Sequence, residues 1–216
     1  MDIEIAREKM IEQQVRAWDV LDPEVLDILA EVPREQFVPR DYVALAFSDT
    51  EIPIGHGQSM MTPTVEGRLL QSVDVSPNDR ILEIGTGTGF LTACLATLGG
   101  EVTSVEIFGS LLKRARENLA DARIDNIELI EMDATRELPP GEFDVVVITG
   151  SIHSFDMRYV EALAMNGRLF VVVGDAPVMD ARLLTRTGDS DWNSVSLFET
   201  CLTPLINAEK PPQFTF

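Results

Sequence analysis

Three glycines, Gly85, Gly87 and Gly89, alternate in the run Leu82-Glu83-Ile84-Gly85-Thr86-Gly87-Thr88-Gly89-Phe90. Glycine permits backbone angles closed to other residues and lets a ligand approach the main chain with no Cβ in the way. Acidic residues keep company with this run. Glu83 precedes it directly, and Glu106 lies 17 residues beyond Gly89, close to the roughly 20 expected of a carboxylate that grips ribose hydroxyls. Asp133, in Glu131-Met132-Asp133-Ala134, offers a carboxylate and adjacent amides that can read an adenine edge. The spacing is GxGxG and not GxGxxG, so the pyrophosphate fingerprint is not matched. Three acids at three strand ends suit a cationic or neutral adenosine ligand better than a dinucleotide phosphate, although any one of them could simply cap a helix.

The other reactive side chains are few. His56 and His153 are the two histidines; either could serve as a base toward a hydroxyl or amine, or sit at the surface. Cys94 and Cys201 stand far apart with no CxxC and no histidine at ligand spacing, so neither a disulfide framework nor a metal site is expected. Cys94 is expected to be a core thiol.

The elements that must position these groups follow from the apolar pattern. Arg80–Ile84, Glu101–Val105, Ile127–Glu131, Asp144–Ile148 and Leu169–Val173 read as strands. Between them, Val65–Val73, Phe90–Leu98, Ser110–Ala122 and Met157–Ala164 read as helices. Continuous apolar strands separated by helices predict a parallel sheet covered on both faces, and the glycine run then falls where the first strand hands over to a helix whose amides face the ligand. Runs at Ala181–Thr185 and Val195–Leu202 predict an antiparallel ending. Upstream, Met10, Ile11, Gln14, Val15 and Trp18 keep helical spacing, and Asp22-Pro23 reads as an N-cap followed by a first-turn proline. Residues 1–60 are expected to form a helical, loop-rich portion bordering the acceptor site, and residues 61–216 the ligand-binding domain.

Charge narrows the partners. The chain of 216 residues carries 17 Lys+Arg against 36 Asp+Glu, a net charge of −19, which argues against nucleic acid as a partner. Hydrophobic residues make up 45%, enough for a real core. The N-terminus does not read as a signal peptide, and no apolar run is long enough to cross a bilayer, so a soluble cytoplasmic protein is expected. Residues 1–60 hold 13 of the acidic and 5 of the basic side chains, an excess expected to repel an anionic acceptor unless local donors offset it.

The acid–GxGxG loop and the acid ending the second strand resemble the class I methyltransferases that use S-adenosylmethionine. Met165-Asn166-Gly167-Arg168-Leu169 resembles their turn before the fifth strand, with Asn in the left-handed position. Val32-Pro33-Arg34-Glu35-Gln36-Phe37-Val38-Pro39 and Ile52-Pro53-Ile54-Gly55-His56-Gly57-Gln58-Ser59 further resemble the protein-L-isoaspartate O-methyltransferases, and the likeness runs on to Leu202-Thr203-Pro204-Leu205. The resemblance implies an α/β fold with a doubly wound, mostly parallel, seven-stranded Rossmann-like sheet. It implies an S-adenosyl-L-methionine site, yielding S-adenosyl-L-homocysteine, built from the glycine run with Glu83, Gly85, Thr86, Gly87 and Gly89. Gln58, Ser59, Thr149, Glu106 with Ile107, and Asp133 with Ala134 complete it. It also implies carboxyl methylation of isoaspartyl residues, a protein or peptide acceptor, and a role in protein repair.

One departure is plain. Alignment of Gly57-Gln58-Ser59-Met60-Met61-Thr62-Pro63 on the family motif places Met61 where the family has its active-site serine, and a thioether donates no hydrogen bond. Ser59 and Thr62 flank it and could supply a hydroxyl, while Met60 and Met61 could equally be gap-filling core residues. Thr149-Gly150-Ser151-Ile152-His153 departs from the family's sequence after the fourth strand. Two alternatives therefore stay open: a different acceptor, including a small molecule, on the same scaffold, or a regulatory protein that binds the cofactor without turnover. The apolar Phe214-Thr215-Phe216 could pack against the sheet or a partner, and oligomeric state is left open.

Overall fold

The computed structural model describes residues 2–210; the expectation for Phe214-Thr215-Phe216 lies outside them. Seven strands form one sheet: β3 (Arg80–Ile84), β4 (Glu101–Glu106), β5 (Ile127–Glu131), β6 (Phe143–Ile152), β7 (Leu163–Asp175), β8 (Val178–Arg186) and β9 (Trp192–Thr200). Their order is β5-β4-β3-β6-β7-β8-β9. The pairs from β5 to β7 are parallel, and β8 and β9 join antiparallel. Chain order reverses at β3, where β4 and β6 lie on opposite sides, so the crevice beyond the carboxyl ends of β3 and β6 is where a ligand binds in such a sheet.

The strands read as unbroken apolar runs because both faces are covered. Ile81, Val145, Val147, Phe170 and Val172 enter one buried cluster, which also takes Leu69 and Leu70 of α4 (Pro63–Val73) and Ala93–Leu95 of α5 (Phe90–Leu98). Leu111, Ala115 and Leu119 of α6 (Gly109–Asp121) join the same cluster. Leu82, Ile84, Val146, Ile148, Leu169 and Val171 enter the other, with Tyr159 and Val160 of α7 (Arg158–Glu161). The alternation is the period-2 geometry of a strand. Met10, Val15, Leu29 and Phe37 of the N-terminal portion belong to the first cluster, so that portion shares a core with the sheet.

That portion holds α1 (Ile3–Met10), α2 (Pro23–Glu31) and α3 (Arg34–Phe37). Asp22 caps α2 as expected, its carboxylate accepting from the amides of Glu24 and Val25. Several expectations need correction. The chain after Met10 continues as one wide turn, Ile11–Val15, and a tight one, Arg16–Trp18; the change of pitch rotates Trp18 outward, to 44% exposure. A two-stranded hairpin, β1 (Ile52–Gly55) and β2 (Gln58–Met60), closes the N-terminal portion where only helices and loops were expected.

The helix expected over Met157–Ala164 is one short turn, because Leu163 already pairs with Phe143 in the sheet. Strands β6 and β7 are longer than their apolar runs, since backbone pairing carries on through Thr149–Ser151 in β6 and through Met165, Asn166 and Asp175 in β7. The last strand ends at Thr200, and Leu202 turns inward from the following loop. Asn166 adopts φ 65°, the left-handed conformation expected there.

Candidate active site

The loop after β3 is held from two sides. The amides of Gly85 and Thr86 donate to the carbonyl of Val105 at 2.8 and 3.2 Å. Thr149, at the far end of the neighbouring β6, donates its hydroxyl to the carbonyls of Ile84 and Gly85 at 3.0 and 2.7 Å. Gly85 has φ +100°, and a Cβ there would collide with Thr149 Oγ1. Both the angle and the close approach exclude any other residue. Thr149 thus shapes the loop, with its hydroxyl spent on the loop's own carbonyls.

Glu106 closes β4 with both carboxylate oxygens engaged by backbone. Oε2 accepts from the amide of Gly87 at 2.9 Å and Oε1 from that of Phe108 at 3.0 Å. Burial pushes its pKa up, and these amide donors pull against that shift. A carboxylate fixed by two amides still has lone pairs to present, so it is pre-aimed at a diol.

Glu83 has another setting. It is wholly buried beneath the loop, where its Oε2 accepts from the hydroxyls of Thr92 and Ser104, each at 2.5 Å. Ser104 in turn shares a hydrogen bond with Thr86 at 2.6 Å. Oε1 has no partner. Burial lifts the Glu83 pKa to about 7 against those two donors. Glu83 and Thr86 line a small cavity behind the loop, which also reaches Ser59, Met61 and Thr149.

The main cleft runs over the carboxyl ends of β3 and β6, with about 770 Å³ of empty space counted out to its open mouth. Of the residues expected from sequence, Gln58, Ser59, Met61, Gly85, Gly87, Glu106, Ile107, Asp133, Ala134 and Thr149 line it. Gly89 and Thr62 do not: Gly89, at φ +90°, starts α5 against Leu119, and Thr62 caps α4. Asp133 folds back on its own turn, accepting from the amide and hydroxyl of Thr135 at 3.0 and 2.6 Å, and from Asn207 at 2.8 Å. These donors hold its pKa below the usual carboxylate range, against a desolvation that pushes upward.

Sequence reasoning missed Glu51, Phe108, Met132, Gly150, Leu202, Thr203, Leu205 and Ile206, all of which line the cleft. Two signals were available. Phe108 and Met132 adjoin residues already chosen, and Leu202-Thr203-Pro204-Leu205 already stood in the family phrase.

On the acceptor side the three candidate residues separate. The Thr62 hydroxyl is occupied by the amide of Val65 and by Thr64, which donates to Asp49 at 2.7 Å. Met61 is buried, and its carbonyl accepts from Arg34 Nη2 at 2.8 Å. Arg34 is itself buried, paired with Glu66 of α4, bonded to the carbonyl of Ala46, and set over the Phe90 ring at 4.7 Å. Burial outweighs Arg34 at Glu66 and lifts its pKa to about 7. Ser59 remains: it faces both the main cleft and the small cavity, and its hydroxyl has no partner among the described residues. His56 stacks on Phe108 outside the cleft, and His153 pairs with Asp175 at 2.6 Å.

A family model described as protein-L-isoaspartate(D-aspartate) O-methyltransferase matches residues 5–210. The chain belongs to that family. A protein-L-isoaspartate O-methyltransferase of Rhodopseudomonas palustris (strain HaA2) is 36% identical over 205 residues, 94% of this chain and 84% of that one. Its counterpart in Methanoculleus marisnigri is 36% identical over 202 residues, 93% and 91% of the two chains. A Plasmodium falciparum structure bearing the same enzyme name and holding S-adenosyl-L-homocysteine superposes with a TM-score of 0.80 at 20% identity, covering 95% of this chain and 98% of that one. That likeness confirms the methyltransferase fold. Among the described residues no helix is long and apolar enough to cross a membrane, and no three metal-ligating side chains gather.

Proposed function

We propose that this protein transfers the methyl group of S-adenosylmethionine to the carboxylate of an isoaspartyl residue in a protein or peptide, with Ser59 as the hydroxyl on the acceptor side. The fit to the cofactor rests on the cradle. Glycine 85 leaves no room for a side chain, Glu106 is aimed at a diol, and the buried Glu83 has an oxygen without a partner. A cationic adenosine ligand suits that set: Glu106 would hold the ribose, Asp133 with Ala134 the base, and Glu83 the positive end. Bound there, the cofactor supplies an electrophilic methyl on a sulfonium.

The protein's own part is positioning. A carboxylate acceptor is already nucleophilic and needs no general base, so most of the rate comes from alignment and from donors that hold the acceptor in line. A donor at the acceptor end also offsets the acidic side chains nearby, among them Glu51, whose pKa burial pushes up. The observation that carries the assignment is the Ser59 hydroxyl, without a partner, in a cleft that also takes Glu106, Leu202, Thr203, Leu205 and Ile206. Met61, which the alignment sets at the family serine's place, has its carbonyl tied to Arg34 and carries an apolar side chain.

Labelled methyl transfer to an isoaspartyl peptide tests the reading. Wild type is expected to transfer, Ser59→Ala to lose most of the rate while still binding cofactor, and Met61→Ser to gain. The substitution at Met61 and the altered loop from Thr149 to His153 favour a second reading, a different acceptor on the same scaffold. Cofactor binding without transfer to the isoaspartyl peptide, in wild type and Met61→Ser alike, would select it.

A further inference from the structure

The β1–β2 hairpin borders the cleft with both arms: Ile54 on one and Gln58 to Met60 on the other line it. Ile54 also comes up against the glycine loop, its Cδ1 3.2 Å from where a Cβ on Gly87 would stand. The tip, Gly55-His56-Gly57, has three successive positive φ angles, 106°, 55° and 71°. Histidine tolerates the left-handed region better than most side chains, and the exposed tip buries nothing in the core. Beyond the pairing of Gly55 with Gln58, a pair of contacts made by one side chain ties it to the neighbouring segment.

The His56 ring stacks on Phe108, with centroids 4.1 Å apart and planes at 13°. Its Nε2 shares a hydrogen bond with Ser110 Oγ at 2.7 Å. Both partners belong to the short segment that follows Glu106. Phe108 lines the cleft, and its amide is one of the two donors that fix the Glu106 carboxylate. A single residue therefore joins the hairpin tip to the segment that fixes this carboxylate.

We propose that His56 is a positioning residue that clasps the hairpin across the nucleoside end of the cleft, so that its grip on Phe108 and Ser110 sets how fast the adenosine ligand enters and leaves. The proposal rests on the S-adenosylmethionine reading above. A ligand seated between the glycine loop and the hairpin can leave sideways only when the tip lifts, and lifting costs the stack and the hydrogen bond together. The clasp acts on exchange of the nucleoside; Ser59, on β2 of the same hairpin, is held below the tip by its pairing with Pro53.

Stopped-flow measurement of S-adenosylhomocysteine dissociation from the full chain tests it. His56→Asn removes the stack and the hydrogen bond to Ser110 together while keeping a side chain that accepts the left-handed backbone, and Ser110→Ala removes only the hydrogen bond. Each is expected to release the ligand about 2- to 10-fold faster, the worth of one aromatic pair or one hydrogen bond. The melting temperature is expected to fall by no more than the few degrees that the lost contacts themselves cost. Dissociation at the wild-type rate in both variants overturns the clasp, as does faster release accompanied by a loss of thermal stability well beyond what the lost stack and hydrogen bond account for. Failure of the wild type to bind S-adenosylhomocysteine at all overturns the cofactor reading and takes the clasp with it.

Discussion

Glu83 is buried with no cation beside it, so replacing it by glutamine is expected to stabilise the fold at high pH and not at low. Its pKa lies at about 7 in the folded protein against an ordinary 4.5. Below about pH 4.5 both states carry the proton and the group is neutral toward stability. Between 4.5 and 7 only the unfolded chain ionises, and stability falls by about 1.4 kcal/mol per pH unit. Above 7 both states are ionised and the deficit levels off at about 3 kcal/mol. Glutamine has no such term, and its carbonyl can still accept from Thr92 and Ser104. Its advantage over wild type should therefore grow by about 2 kcal/mol between about pH 5.5 and pH 8.5, or roughly 4–8 °C in melting temperature for a chain of this size. Glu66, whose pKa is raised in the same direction, is present in both proteins and cancels. Urea unfolding of the two proteins at both pH values measures the difference. The same variant should bind S-adenosylmethionine more weakly, since the cationic ligand loses its carboxylate. A stability difference that is constant with pH would refute the reasoning.

Three further substitutions have defined outcomes. Arg34→Met leaves Glu66 buried without its partner and should cost about 3–5 kcal/mol in urea unfolding, part of which Glu66→Gln recovers in the same background. Glu106→Ala removes the acceptor for two backbone amides and, on the proposed reading, for the ribose, and calorimetry should show S-adenosylhomocysteine binding weakened by about 10- to 100-fold, the worth of hydrogen bonds to a charged group. Thr62→Ala removes the cap of α4 and should cost about 1 kcal/mol of stability in thermal unfolding, with the KM for an isoaspartyl peptide unchanged because the hydroxyl is turned into the cap.

How far the site could be read from sequence depended on where each residue's partners lie. The glycine loop and Glu106 were legible because their partners are local and their spacing is set by one strand-loop-helix unit. Glu83 was legible as an acid but not as a buried one: its donors come from α5 and β4, and no spacing rule reports which of two strand faces a carboxylate meets. The hairpin was hidden by Pro53 and by the glycines at its tip, which read as loop. Nothing local distinguishes Ser59 from Thr62 as a hydroxyl. Only the cap on α4 and the chain through Thr64 to Asp49 show that Thr62 is spent. Arg34 was quoted within a family phrase, yet its hold on the Met61 carbonyl joins residues 27 positions apart and belongs to tertiary packing.

The most direct test is transfer of labelled methyl to an isoaspartyl peptide by wild type, Ser59→Ala and Met61→Ser, with S-adenosylhomocysteine affinity measured in parallel on each. The account predicts methyl ester formation by wild type, a loss of about 10-fold or more in Ser59→Ala from one missing hydrogen bond to a charged acceptor, a gain in Met61→Ser, and cofactor still bound by all three. Bound cofactor with no ester formed by wild type or Met61→Ser, or an undiminished rate in Ser59→Ala, would contradict it.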